Sequence, residues 1–142
     1  MNLYVDTSAL IKSYIAEDGS GQVVELLNQH PLIGTVALTQ AEMASALAKA
    51  GRMGFIEATD LESAWMEFNS HWATYIRLPI STLVVEQAAA LCWRHGLRAY
   101  DAIHLASALA WKDVVGEQVI FACFDHALTK AASKEGLQVW PK

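Results

Sequence analysis

An α/β fold, with a parallel sheet in a three-layer α/β/α sandwich, is predicted by two features of this sequence. Short apolar runs of strand length alternate with helix-patterned segments, and an acid stands directly after two of those runs, NLYV and VIFACF. Strands covered on both faces read as continuous apolar runs, the pattern of a parallel sheet flanked by helices. At 142 residues the chain is read as one domain, residues 1–142, long enough to bury a proper core.

The elements follow in order. NLYV is a buried strand, and SALIKSYIAE after it reads as a helix closed near Asp18-Gly19. GQVVELLNQ is a second helix that ends before His30-Pro31. LIGTVAL is the next strand, and Thr39 opens a helix through Ala50 that Gly51 stops. From Ile56 to Tyr75, Leu61, Trp65, Phe68 and Trp72 recur at helical spacing. RLPI is a weak strand whose Pro79 favours a sheet edge. Thr82 to His95 is a helix ended by Gly96, and Asp101 to Trp111 is helical and Ala-rich. VIFACF is the clearest strand, followed by the helix HALTKAASKE, a C-terminal Gly136 and a last strand LQVW. Strand order is not readable from the sequence.

Composition narrows the function. The chain is 54% hydrophobic with a mean hydropathy of +0.23, yet no apolar run approaches the ~20 residues that span a bilayer. The first residues carry no basic stretch and meet an acid at position six, so no signal peptide is expected and a cytoplasmic protein is. The apolar surplus points to a covered face, against a second copy or a partner. Cys92 and Cys123 sit in apolar runs without metal-ligand spacing and read as core thiols of a reducing compartment. A net charge of −5 argues against phosphate binding by bulk positive charge, but not against a nucleic-acid enzyme with acids gathered in one cleft.

Four acids stand where such a fold forms sites, beyond the carboxyl ends of strands. Asp6 follows the first strand and Asp125 follows VIFACF. Glu42 lies in the first turn after the second strand, and Asp101 opens a helix after a Gly-containing loop. Taken singly, Asp6, Asp101 and Asp125 fit helix N-caps, and Thr39-Gln-Ala-Glu42 fits a capping box. Taken together, four carboxylates on one sheet edge repel unless a cation neutralises them. Hard oxygen donors suit Mg²⁺ or Mn²⁺.

On the segments YVDTSALIK, AEMASALAKA, LRAYDAIHLASALA and FACFDHALTKAASKEGLQVW, the chain resembles PIN-domain ribonucleases, specifically the VapC-like toxins of VapBC toxin–antitoxin pairs. The resemblance spans almost the whole chain. It implies a PIN-like fold and an endonuclease that cleaves RNA with Mg²⁺ or Mn²⁺. It also implies a dimer silenced by a cognate antitoxin. The family's metal-dependent acids carry over onto Asp6, Glu42, Asp101 and Asp125. One position departs: where the family often has Thr or Ser, two residues before its last acid, this chain has Cys123. A thiol is a poor ligand for hard metals.

In this reading Asp6 and Asp101 hold the cation, Glu42 and Asp125 complete the cluster, and Thr7 or Ser8 orients the Asp6 carboxylate. His104 is expected as a buried, hydrogen-bonded residue rather than a ligand, and His126 as an exposed first-turn histidine. Lys12, Lys49, Arg52 and Arg98 stand near the acidic segments and are read either as phosphate contacts or as ordinary surface charge. Trp65, Phe68, Trp72 and Tyr75 are read as core packing, with a partner groove as the sharper alternative.

Other functions fit less well. A haloacid-dehalogenase-like phosphatase needs a second acid two residues after the first, where Ser8 stands. A receiver domain needs an acidic pair before the first helix and a late lysine, and neither is evident. Within the family, an RNA-processing nuclease or a catalytically silent RNA- or protein-binding module is the alternative.

Overall fold

The structure, a computed structural model, describes residues 1–142. Five strands, β1 (Asn2–Val5), β2 (Ile33–Val36), β3 (Ile76–Leu78), β4 (Val119–Ala122) and β5 (Gln138–Trp140), form one sheet in the order β3-β2-β1-β4-β5. Every neighbouring pair is parallel. Seven helices cover it: α1 (Thr7–Leu10), α2 (Ser20–Asn28), α3 (Leu38–Arg52), α4 (Ala58–Trp72), α5 (Thr82–His95), α6 (Ala99–Val115) and α7 (His126–Lys134). The expected α/β/α sandwich is what forms; the strand expected at RLPI is β3, at a sheet edge as expected but shifted to Ile76–Leu78, so that Pro79 lies just beyond it.

Period-two alternation along the strands divides the core. Tyr4 of β1 and Val119 and Phe121 of β4 face one layer, with Leu91 of α5, Leu105 of α6 and Leu128 of α7. Leu3, Val5 and Ala122 face the other, with Leu10, Leu26, Met43, Phe68 and Trp72. The aromatic stripe of α4 is core as expected: Phe68 is fully buried, and it stacks with Trp65 and meets Trp72 and Tyr14.

Order along the chain runs outward from β1 through β2 to β3, then resumes on the other side of β1 with β4 and β5. The direction of winding therefore reverses between β1 and β4. In open parallel sheets the crevice beyond the carboxyl ends at such a reversal is where sites form. Asp6 and Asp125 leave the sheet at this point, and the Asp6 amide donates to the Ala122 carbonyl at 2.9 Å.

The structure corrects three local expectations. SALIKSYIAE is not one helix: α1 stops at Leu10 and a 3₁₀ turn, Ile11–Ser13, replaces the rest. The Ser13 hydroxyl takes the Leu10 carbonyl at 2.7 Å, competing with the helical ladder. Thr39 does not cap α3, which begins at Leu38 after Ala37; its buried hydroxyl meets that of Thr35 at 2.6 Å. Nor does Asp101 cap α6, which starts two residues earlier, after Arg98. The outer ends differ by a few residues elsewhere, as in α4.

Close approach decides one residue. Gly34 pairs with Tyr4 in β1 and Ile76 in β3, and a Cβ there would lie 2.6 Å from the buried Trp111 ring of α6. Substitution of Gly34 by Ala forces that ring or the strand to shift. Gly34→Ala is expected to destabilise the fold by about 1–3 kcal/mol, read as a lower urea midpoint with an unchanged slope.

Candidate active site

Two of the four acids are helix caps, as their single-residue reading has it. Asp6 accepts from the Ser8 amide at 3.1 Å at the start of α1. Asp125 accepts from the Leu128 amide at 2.9 Å at the start of α7. Asp101 sits in the first turn of α6, so three of the four acids lie at helix starts, where the peptide dipoles favour anions. Glu42, expected in a first turn, lies beyond that of α3, because the helix begins already at Leu38. Asp6 and Asp101 are buried, and Glu42 and Asp125 are partly exposed.

Polar contacts tie these acids into two pairs, Asp6 with Glu42 and Asp101 with Asp125, on turns that Ser8 joins. Ser8 Oγ donates to Asp6 Oδ2 at 2.5 Å and also accepts from the Phe124 amide at 2.9 Å, joining the turns after β1 and β4. Thr7 Oγ1 donates to Glu42 Oε1 at 2.8 Å. Both hydroxyls of the Asp-Thr-Ser stretch thus serve the site, each on a different acid. Arg98 bridges Asp101 Oδ2, at 3.2 Å, and Asp125 Oδ2, at 3.5 Å.

His104 is the residue that sequence reasoning undervalued. It is fully buried and hydrogen-bonded as expected, but its partners are the acids themselves. Nε2 lies 2.6 Å from Glu42 Oε1, and Nδ1 lies 2.8 Å from the Tyr4 hydroxyl and 3.5 Å from Asp6 Oδ1. Tyr4 accepts from the Val36 amide at 3.3 Å. Its own proton is then free for Nδ1, which leaves Nε2–H to donate to Glu42 in the neutral ring. The available signal was spacing: His104 lies one turn after Asp101, on the same face of α6.

Electrostatics match this geometry. Burial works to raise the Glu42 carboxyl, yet bonds from His104 and Thr7 leave it below its ordinary value. Burial works to lower His104, yet the Glu42 bond and the charges of Asp6, Glu42 and Asp101 raise it. The Asp101 carboxyl is raised, first by burial; Arg98 pulls it down, while Asp125 and Asp6 push it up. The Cys123 thiol, 3.5 Å from Asp6 Oδ2, is pushed up to about 12 by burial and then by Asp6. It stays protonated and acts as a weak donor to the carboxylate that the more usual hydroxyl would serve.

The donor chemistry fits a hard divalent cation: four carboxylates, two of them buried, with Asp101 raised by burial and by its acidic neighbours. As the side chains stand, no three His, Cys, Asp or Glu groups form a ready-made ligand cage. Their oxygens are engaged with Arg98, His104 and hydroxyls instead.

The other basic candidates lie off the site or are committed elsewhere. Lys12 bonds the Asp18 carbonyl at 2.7 Å, pairs with Glu17 and lies over the Phe124 ring. Lys49 and Arg52 are exposed in the last turn of α3, where the helix dipole favours cations. His126 is exposed, as expected. No helix is long and apolar enough to cross a membrane.

The PIN domain family profile matches residues 3–132. Ribonuclease VapC45 of Mycobacterium tuberculosis is 31% identical over 140 residues, covering 98% of this chain and 94% of that protein. Among solved structures, FitAcB from Neisseria gonorrhoeae superposes with a TM-score of 0.66 at 16% identity, covering 96% of this chain and 95% of that one. A toxin–antitoxin complex from Klebsiella pneumoniae superposes with a TM-score of 0.57 at 19% identity, covering 83% of each chain.

Proposed function

The chain belongs to the PIN domain family, among its VapC-like ribonucleases, and from that premise we propose that it is a divalent-cation-dependent endoribonuclease acting as the toxin of a toxin–antitoxin pair. One observation carries the reading: at the reversal point of a parallel sheet His104 joins Asp6 to Glu42, Arg98 joins Asp101 to Asp125, and Ser8 joins the turns that hold Asp6 and Asp125.

Asp6 and Asp101 would hold Mg²⁺ or Mn²⁺, with Glu42 and Asp125 completing the cluster. A cation bound there supplies a water ionised near neutral pH and positive charge beside the phosphorus oxygens. The chain's own residues position the oxygens for it. Ser8 fixes the Asp6 carboxylate through its 2.5 Å bond, and Thr7 and His104 fix that of Glu42. An antitoxin that silences the site and a homodimer belong to the same reading. A structural neighbour that is itself a toxin–antitoxin complex supports the first. Large apolar side chains left exposed, Phe55, Trp93 and Val114 among them, support a covered face.

The test is cleavage of total cellular RNA by the purified chain. Discrete fragments are expected with Mg²⁺ or Mn²⁺ and none with chelator. Cleavage that persists in chelator would overturn the cation dependence.

A further inference from the structure

Arg98 is present at this site for a reason that the fold does not supply. It precedes α6 as the N-cap residue but makes no side-chain cap bond, so the helix start does not call for an arginine. Its guanidinium reaches two acids from different elements. Nε and Nη2 each lie 3.2 Å from Asp101 Oδ2, and Nη2 lies 3.5 Å from Asp125 Oδ2. The group also rests over the Tyr100 ring, 4.8 Å from its centroid, with 64% of the side chain exposed. Ion pairs this exposed contribute little to stability. The pair therefore matters for what it does to Asp101 and Asp125.

Those two carboxylates are half of the set assigned to the cation. A guanidinium and a divalent ion compete for the same oxygens and repel each other while doing so. Arg98 is also attached flexibly at the rim, so it can leave Asp101 and Asp125 without disturbing the core. A planar fork displaced from carboxylates is suited to the next anion to arrive, a phosphate of the RNA.

Resting on the nuclease reading above, we propose that Arg98 is a built-in counter-ion of the site. It neutralises Asp101 and Asp125 in the cation-free chain, yields them to the cation, and then faces the RNA phosphate. The protein thereby exchanges one positive charge for another as it becomes competent.

Metal-stripped wild type, Arg98→Gln and Arg98→Lys are titrated with Mn²⁺, with free ion followed by electron paramagnetic resonance. Arg98→Gln is expected to bind Mn²⁺ roughly tenfold tighter, the scale of a unit charge acting on a divalent ion through a largely aqueous dielectric. The gap should narrow as salt is raised. Arg98→Lys, which keeps the charge but loses the fork, should fall between the two. The KM of Arg98→Gln for a labelled oligoribonucleotide should rise, a change of opposite sign that a merely structural residue does not produce. Equal or weaker Mn²⁺ binding by Arg98→Gln overturns the proposal, and an unchanged KM overturns its phosphate half. Asp101→Asn separates this failure from that of the nuclease reading. If wild type binds Mn²⁺ and Asp101→Asn does not, the cation site stands whatever Arg98 does. If neither wild type nor Arg98→Gln binds Mn²⁺, both fall. Binding by Arg98→Gln alone supports the counter-ion role.

Discussion

Asp101→Asn is expected to lower cation-dependent RNA cleavage by about a thousandfold or more while the fold persists, since the ligating charge is lost and the shape is kept. Asp101 is buried in the first turn of α6, and its carboxyl is raised by burial with Asp125 and Asp6 nearby. Removing its charge relieves repulsion among these acids, and the pair with the largely exposed Arg98 contributes little to stability. The melting temperature should therefore hold or rise slightly, in contrast to the collapse in rate. The measurement is fragment yield from a labelled RNA in Mn²⁺, beside a thermal melt of the same preparation. Cleavage retained in a contaminant-free preparation removes Asp101 from the site.

His104→Ala is the substitution expected to cost the most stability, about 3–5 kcal/mol, because it leaves buried polar partners without their counterpart. The imidazole is fully buried and holds Tyr4, Glu42 and Asp6 together. Its loss opens a polar cavity under the site as well. The effect should depend on pH. His104 is held above its ordinary 6.5, so its charged form is favoured by folding. That contribution is complete below about pH 6.5 and is lost as pH rises through the higher folded value. Glu42 is held below its ordinary 4.5, so its contribution is complete above about pH 4.5 and is lost as pH falls through the lower folded value. The difference between wild type and His104→Ala, measured by urea unfolding in chelator, should be largest between about pH 4.5 and 6.5. A difference that stays flat across this range and beyond would refute the charged His104–Glu42 pair.

The strands and the position of the acids were legible because each depends on local pattern. NLYV and VIFACF are apolar runs followed by an acid, and both ends carry a candidate site residue. What the pattern could not hold was partnership across the chain. Glu42 fits a capping box with Thr39 until β2 places Thr39 against Thr35 and α3 starts one residue earlier. His104 reads as a core histidine until α6 packs over β1 and brings it to Tyr4 and Asp6. Ser8 and Thr7 read as alternatives because nothing local says that two different acids need hydroxyls. In each case the deciding contact joins residues from elements whose adjacency follows from strand order, and strand order is set by the whole sheet.

The placement of β4 beside β1 has a consequence for a cell that makes this protein. Asp6 leaves the ribosome long before the strand that must dock beside it, together with Asp125. Until β4 arrives, the Ala122 carbonyl and the Phe124 amide that fix the turn after β1 do not exist near Asp6 and Ser8. Pairing of such distant segments is also the slow part of folding. A chain whose synthesis has not reached β4 therefore carries most of the acids without the geometry, and the cleavage proposed above would become a hazard to the host's own RNA only after that strand is made. That delay is a window in which a second polypeptide can find the nascent chain before it is able to cut.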